Sequence, residues 1–251
     1  YIAVTTDAHY ALTMLCLEHK VPVLCEKAMF VNSAQAETVF EKARQEKVFV
    51  MEAMWSRFLP AIKMPKQFMD EGKIGPPSFI DRAIGFFAPV DKDNRYYSPK
   101  LGGGAAFDIT VYAYELTTYM AGRSIENMQV SAVWSDTGVD LSDQVTICYP
   151  GLMASLRTSF AAALHERMAI YGSEGKIVIP HPHFAEEAFL YNKANELVMH
   201  FQDTVTENGF LYEIEEAVNC IRDGRIESPV VPHSLTLDCA RLFDRINSTR
   251  P

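Results

Sequence analysis

The sequence lacks the features that mark several large classes of protein. It has no block of lysines and arginines, and its 23 basic residues are outnumbered by 32 acidic ones. A formal net charge of −9 is unsuited to a surface that binds a phosphate backbone, so we expect no nucleic-acid partner. No apolar run approaches the length of a membrane span, and no segment resembles a signal peptide, so we expect no membrane association.

Cysteines are few, and their number is odd. The sequence has five of them, widely spaced and mostly in apolar surroundings: Cys16, Cys25, Cys148, Cys220 and Cys239. A reduced thiol in such surroundings behaves as a small hydrophobic group. The pattern therefore predicts a reducing compartment, the cytoplasm.

A metal site is not expected either. The motif HPHF at 181–184 holds two histidines close together, but no acidic residue or cysteine at ligand spacing completes a set. We therefore interpret these histidines as loop residues. No arrangement resembling a nucleophile elbow is present.

Residues 1–54 alternate between short apolar strands and helices. The strands are YIAV at 1–4, then 21–24 and 48–51, and helices capped by Asp7 and by Asn32 or Ser33 separate them. Parallel neighbours need such helical crossovers, because a tight turn cannot join them. The pattern predicts an α/β unit, the carboxyl-terminal half of a doubly wound dinucleotide-binding sheet.

The Gly-rich phosphate turn of a dinucleotide site is missing from this unit. The one glycine run, at 102–104, does not follow a strand in such a unit. Because YIAV reads as a strand already under way, we expect the first half of the sheet upstream of Tyr1 in a longer polypeptide. The alternative is a form that binds no nucleotide.

Residues 55–251 predict an α+β domain with a mostly antiparallel open sheet, used for substrate binding and dimerisation. A strand at 77–87 and a meander of β-branched segments after residue 130 supply the sheet. Pro65 is expected to kink or shorten the first of the helices. The sequence predicts helices at 60–72, 105–120, 208–223 and 233–247, and we expect the last of them to pack back on the first unit.

Glu26 and Lys27 follow the second strand, at the sheet edge where open parallel sheets bind ligands. Lys27 there could present a fixed positive charge to a substrate oxygen. The alternative is a surface ion pair in a loop, which contributes little. The spacing alone does not distinguish a Lys27 that contacts substrate from a Lys27 in a surface ion pair.

Two further stretches carry candidate chemistry. In LGGGAAFDITVYAYEL, Asp108 and Tyr112 are four apart and share one helix face, where a phenol near a lysine can exchange a proton with a carbinol. Packing of Tyr112 in the core is the simpler reading. In MEAMWSRF, Trp55 and Arg57 could line a cofactor pocket, or Trp55 could pack between domains.

In this order, the stretches resemble the glucose-fructose oxidoreductase and inositol dehydrogenase (Gfo/Idh/MocA) family over essentially the whole chain. Residues 26–28, Glu-Lys-Ala, match the family motif Glu-Lys-Pro. Residues 52–58 match E-A-x-W-x-R-F, and residues 102–112 match G-G-G-A-x-x-D-x-x-x-Y/H. Ala28 in place of Pro is expected to free the backbone after Lys27.

The resemblance implies NAD(P)-dependent hydride transfer at a carbinol carbon of a sugar, polyol or cyclic diol, with NADP favoured over NAD, in a homodimer formed through the open sheet. The alternative is a non-catalytic dimeric member that binds a sugar or a regulatory partner. The implied catalytic residues are Tyr112 as proton donor or acceptor, Lys27 as its electrostatic partner and Asp108 as orienter. The implied cofactor contacts are Thr5, His9, Glu26, Lys27, Trp55 and Arg57. The candidate substrate-pocket residues are Phe87, Asn94, Arg95 and His165.

Overall fold

The structure is a computed structural model that describes residues 1–251, and it contains two sheets. Its helices are α1 (Thr6–Glu18), α2 (Ser33–Glu46), α3 (Pro60–Asp70), α4 (Val111–Ala121), α5 (Phe210–Arg222) and α6 (His233–Asn247). Its strands are β1 (Val23–Glu26), β2 (Val50–Ala53), β3 (Pro77–Gly85), β4 (Asn127–Trp134), β5 (Asp140–Tyr149), β6 (Leu152–Ser159), β7 (Arg167–Gly172), β8 (Gly175–Pro180), β9 (Glu187–Asn192) and β10 (Leu197–Gln202). None of the helices is both long and apolar enough to cross a membrane.

The first unit is the predicted parallel α/β arrangement. Strands β1 and β2 pair in parallel, and α2 connects them. Asn32 caps α2, since its side chain accepts a hydrogen bond of 2.9 Å from the Gln35 N–H. The segment YIAV differs from the prediction of a full strand, because only Ile2 forms a parallel bridge, to Cys25.

The second unit is an eight-stranded sheet in the order β10-β9-β8-β7-β3-β6-β5-β4. Every neighbouring pair is antiparallel except β3 and β6, which are parallel. The predicted α/β unit followed by a mostly antiparallel sheet is therefore confirmed.

Helix α4 lies at the centre of the molecule, because it is buried on nearly all sides and packs on β3 and β6. A helix that is apolar around most of its circumference belongs in a core. The helix predicted at 105–120 differs at its start, where residues Ala106–Thr110 form a π-helical turn that leads into α4. Helix α3 runs through the buried Pro65 as one helix.

Helix α6 returns to the first unit and packs along α2. The carboxylate of Asp244 accepts from the Ser33 N–H at 3.1 Å. Thr236 donates to Glu52 at 2.8 Å. The end of the chain therefore fixes the strands that carry the candidate site.

Candidate active site

Lys27 directly follows β1, at the carboxyl edge of the two parallel strands. Its ammonium donates hydrogen bonds of 2.7 Å to the Asp108 carbonyl oxygen and 3.2 Å to Asp108 Oδ1. The same nitrogen lies 4.6 Å from the centre of the Tyr112 ring. The three residues that the family resemblance singled out thus meet at one point, although they come from different units.

Asp108 lies inside the π-helical turn Ala106–Thr110, and Tyr112 lies in the first turn of α4. In a π-helical turn the hydrogen bonds span five residues, and such turns are rare and frequent at functional sites. The turn directs both the carbonyl and the carboxylate of Asp108 at the same ammonium. The glycine-rich sequence before it gave no sign of this geometry.

Two acidic residues of β5 anchor the π-helical turn at its ends. The N–H of Ala106 donates to Asp140 at 2.6 Å, and the hydroxyl of Thr110 donates to Asp143 at 2.6 Å. Burial, together with the neighbouring Asp140, raises the pKa of Asp143 well above its usual range. A raised pKa favours the protonated form of Asp143, which reduces the repulsion between the two carboxyl groups beneath the turn.

The protonation states follow from burial and charge. Burial lowers the pKa of Lys27, but Tyr112 and Asp108 more than offset this, so its pKa stands above the ordinary value. Burial raises the pKa of Tyr112, while Lys27 and a hydrogen bond of 3.0 Å from Trp55 Nε1 to the phenol oxygen oppose that rise. The cluster therefore holds an ammonium beside a neutral phenol.

A cavity of about 260 Å³ opens beside Lys27 and Asp108. Thr5, Arg95 and the glycines at 102–104 also line it. Tyr112 is not among its lining residues, and its hydroxyl instead faces Trp55. Lys27 is therefore the side chain that joins the cavity to the phenol.

The backbone after Lys27 is held in place, which corrects the expectation drawn from Ala28. The Lys27–Ala28 peptide bond is cis, and Ala28 is fully buried. The ring of His9 contacts the Ala28 carbonyl at 3.0 Å, and the Met29 N–H donates to Glu52 at 2.9 Å. These side chains fix the segment without a proline.

The predicted cofactor contacts divide into two groups. Thr5 and Lys27 line the cavity, and Trp55 bonds to Tyr112. His9 does not reach the cavity, because its buried ring is occupied by the carbonyls of Ala28 and Val4. Glu26 accepts a hydrogen bond from the Tyr1 hydroxyl and does not line the cavity.

Arg57 lies apart from the cluster. Its guanidinium is buried 3.4 Å from the carboxylate of Glu115 and 4.6 Å from the centre of the Tyr119 ring. It lines a separate cavity of about 700 Å³, which does not include Lys27. The turn Trp55–Phe58 is 3₁₀-helical, so residues two apart point in different directions. Trp55 therefore contacts the cluster, and Arg57 lines the separate cavity.

Of the predicted substrate-pocket residues, Arg95 reaches the cluster. Its guanidinium lies 3.3 Å from Asp108 Oδ1. Asn94 shapes the adjoining turn by accepting from the Tyr96 N–H at 3.0 Å. Phe87 and His165 are exposed on loops, and neither lines the 260 Å³ cavity.

Sequence reasoning missed two aromatic neighbours of the cluster. The centres of the His183 and Tyr112 rings are 5.6 Å apart, and those of Phe210 and Trp55 are 5.0 Å apart. The HPHF motif is the one sign of His183 in the sequence, and its interpretation as a loop gives no indication that the ring lies beside Tyr112. Across the structure, no group of three or more His, Cys, Asp or Glu side chains is placed to hold a metal ion.

Comparison with known proteins agrees with this architecture. Residues 1–54 match the family model described as "Oxidoreductase family, NAD-binding Rossmann fold", and residues 62–178 match "GFO/IDH/MocA C-terminal domain". The chain is 31% identical over 238 residues to trans-1,2-dihydrobenzene-1,2-diol dehydrogenase of Xenopus laevis, an alignment covering 92% of this chain and 72% of the relative.

Two solved structures show the same fold. One is aldose-aldose oxidoreductase from Caulobacter crescentus in complex with glycerol, with a TM-score of 0.88 and 19% identity over 99% of this chain and 76% of the other. The second is KijD10, a 3-ketoreductase from Actinomadura kijaniata in complex with NADP and TDP-benzene, with a TM-score of 0.87 and 20% identity over 99% and 77% of the two chains.

A Rossmann-type unit that leads into a mixed sheet, with a Lys-Asp-Tyr cluster where the two meet, is the architecture of a nucleotide-dependent oxidoreductase. The chain belongs to the Gfo/Idh/MocA oxidoreductase family. The family resemblance predicted from the sequence is therefore confirmed, as is the prediction of an oxidoreductase.

Proposed function

We propose that this protein is an NAD(P)-dependent dehydrogenase that acts on a carbinol carbon of a sugar, polyol or cyclic diol. One observation carries the proposal. The ammonium of Lys27 contacts Asp108 and lies over the Tyr112 ring, at the sheet edge where Rossmann-type units bind their ligands. The name of the Xenopus relative, a dehydrogenase of a cyclic diol, supports the substrate class.

Each residue of the cluster has a distinct role in this proposal. Tyr112 gives a proton to the substrate oxygen or takes one from it, because a phenol can do either within hydrogen-bond reach. Lys27 stabilises the phenolate form by its positive charge. Asp108 holds the ammonium through its carbonyl and carboxylate oxygens, so it is a positioning residue.

The cavity beside Lys27 suits the nicotinamide end of the cofactor. It is lined by an ammonium donor and by the hydroxyl of Thr5, the N-cap residue of α1. When bound, the cofactor accepts or supplies the hydride. Residues 1–251 contain no strand followed by a Gly-rich phosphate turn, so the pyrophosphate and adenosine contacts are not assigned to them. We favour NADP, which a 3-ketoreductase of the same fold binds.

The remaining organisation belongs to the same proposal. Residues 1–54 form the nucleotide-binding part, and residues 55–251 bind the substrate and a second copy of the chain. The face of the large sheet away from α4 supports a homodimer, because Met153 of β6 is exposed there beside the partly exposed Phe79 of β3. All five cysteines are free thiols, which supports a reducing compartment such as the cytoplasm.

The test uses the full-length polypeptide. NADPH and NADH are titrated while the fluorescence of the nicotinamide is followed, and oxidation of sugars, polyols and trans-1,2-cyclohexanediol is then assayed with each oxidised cofactor. We expect saturable binding, tighter for NADPH, and turnover of at least one substrate class. Absence of a saturable change with either cofactor would contradict the proposal and favour a non-catalytic binding protein.

A further inference from the structure

His183 stands beside the proposed proton-transfer group. It lies in the 3₁₀-helical turn Pro182–Phe184, between β8 and β9, and this turn packs against the turn Trp55–Phe58. Its ring centre is 5.6 Å from that of Tyr112, with the two planes inclined by 46°. The rings of Trp55 and His183 both lie beside the phenol, and the Trp55 N–H already donates to its oxygen.

A carboxylate fixes the orientation of the His183 ring. Nδ1 of His183 lies 2.5 Å from Oε1 of Glu166. Burial alone would raise the pKa of Glu166, but His183 and Arg82 lower it to about 2. Glu166 is therefore ionised and can only accept a hydrogen bond, so Nδ1 of His183 carries a proton and donates it to the carboxylate.

Glu166 is itself held by a buried guanidinium. Arg82 of β3 is fully buried, and its Nη2 donates to Glu166 at 3.0 Å. Its Nη1 donates to the carbonyls of Ala83 at 2.5 Å and Arg167 at 3.4 Å. Separating a buried guanidinium from its counterion costs much free energy, so Arg82 holds the Glu166 carboxylate in one position. Through Arg82 and Glu166, strand β3 therefore determines the orientation of the His183 ring.

The second ring nitrogen of His183 is left available. Nε2 makes no hydrogen bond within the protein, and 27% of the side chain is accessible to solvent. A hydroxyl can pair with this nitrogen in either charge state, because Nε2 accepts a hydrogen bond when unprotonated and donates one when protonated. A hydroxyl group that entered beside Tyr112 would find this ring nitrogen in place, with no need to reorganise the ring.

We propose that His183 is a substrate-binding residue whose Nε2 forms a hydrogen bond with a second hydroxyl, on the carbon next to the carbinol that faces Tyr112. The inference rests on the proposed function for the identity of that carbinol. It predicts that the site binds vicinal diols and polyols more tightly than mono-alcohols. A site built to bind a hydroxyl discriminates against the analogue that lacks it, because its polar group is then left unpaired.

His181 provides a matched control in the same loop. It also contacts Glu166, with Nδ1 at 3.3 Å from Oε2, but its side chain is 56% exposed. Its ring stacks on Phe184, with centres 5.1 Å apart, and does not contact Tyr112. A change at His181 therefore alters the loop and its carboxylate without altering the side chain beside the phenol.

The experiment compares trans-1,2-cyclohexanediol with cyclohexanol, which differ by one hydroxyl. The full-length protein, with ¹⁵N-labelled histidines, is titrated with each compound while the imidazole nitrogens are followed by NMR. Wild type, His183→Phe, His183→Gln and His181→Phe are then compared for diol and mono-alcohol affinity and for kcat/KM. Glu166 is left unchanged, because removing it would leave Arg82 buried without a counterion.

We expect the diol to shift Nε2 of His183 saturably and cyclohexanol to leave it unchanged. His183→Phe should weaken diol binding roughly 10-fold or more and leave the mono-alcohol unaffected. His183→Gln should retain part of the diol preference, and His181→Phe should retain all of it. An unshifted Nε2, or an equal loss for both compounds in His183→Phe, would overturn the proposal.

The NMR and affinity measurements test this inference independently of the proposed function, which the turnover measurements test. If the diol binds through His183 but no nicotinamide cofactor is reduced, the assignment as a dehydrogenase fails while the hydroxyl-binding site stands. If turnover is present and His183→Phe leaves the ratio of kcat/KM for the two compounds unchanged, the assignment as a dehydrogenase stands and the hydroxyl-binding role of His183 fails.

Discussion

The ammonium of Lys27 lies 4.6 Å from the centre of the Tyr112 ring, and it reaches this position from the end of a parallel strand 85 residues earlier in the chain. The carbonyl of Asp108, 2.7 Å away, fixes the nitrogen there. A positive charge placed so close to a buried phenol favours its ionised form. This relationship between the two units is the physical basis of the proposed chemistry.

Lys27→Met should lower kcat and displace the pH dependence of oxidation. Burial raises the pKa of Tyr112 and the Lys27 charge opposes that rise, so removing the charge raises the pKa further. The rising limb of the pH profile, which needs the phenolate, should therefore move to higher pH, with kcat down roughly 100-fold at neutral pH. Lys73→Met, at an exposed lysine, is the control and should leave the profile unchanged. An identical profile in Lys27→Met would remove Lys27 from the proton transfer.

Arg57→Leu should destabilise the fold and leave nucleotide binding intact. The substitution leaves the buried Glu115 without its ion-pair partner, and breaking such a pair costs about 3–5 kcal/mol of unfolding free energy. Replacing both residues by leucine should recover much of that loss, because no charge then remains buried. Urea denaturation measures the stability, and NADPH fluorescence titration measures the affinity. A large loss of NADPH affinity in the stable double variant would restore Arg57 to the cofactor site.

Glu213 of α5 should make stability fall as pH rises. It is fully buried, neither carboxyl oxygen has a hydrogen-bond partner, and burial together with the nearby Glu26 raises its pKa from 4.5 to about 8. The native state then keeps a proton that the unfolded chain loses, so this group reduces unfolding free energy between pH 4.5 and 8, by at most about 1.4 kcal/mol per unit.

Glu213→Gln removes that dependence. Its stability relative to wild type should improve steadily from pH 5 towards pH 8, as measured by urea denaturation at each pH. The matched control is Glu215→Gln, at an exposed position on the same helix, which should show a constant difference. A constant difference in Glu213→Gln as well would mean that Glu213 is ionised in the native protein.

Local signals were enough to place several elements. The helix predicted over 233–247 is α6, His233–Asn247, and Asn32 caps α2 as one of the two predicted candidates. These features depend on residues within one turn of each other. The alternation of apolar strands and helices likewise predicted the parallel pairing of β1 with β2.

The parts that could not be predicted depend on contacts distant in sequence. The π-helical turn rests on Asp140 and Asp143, about 33 residues further along the chain. His183 acquires its orientation from Glu166 and its relevance from Tyr112, and the short motif around it shows neither. Arg57 lies apart from Trp55 for a geometric reason, because residues two apart in a 3₁₀-helical turn point in different directions.

Tyr112→Phe tests the central claim most directly. The full-length wild type and this variant are given a carbinol-deuterated vicinal diol with NADP⁺ or NAD⁺, and transfer of deuterium to the nicotinamide is measured alongside NADPH affinity. We predict that wild type transfers the label and that Tyr112→Phe transfers it roughly 100-fold or more slowly with nearly unchanged NADPH affinity. Transfer by Tyr112→Phe at the wild-type rate would contradict the account.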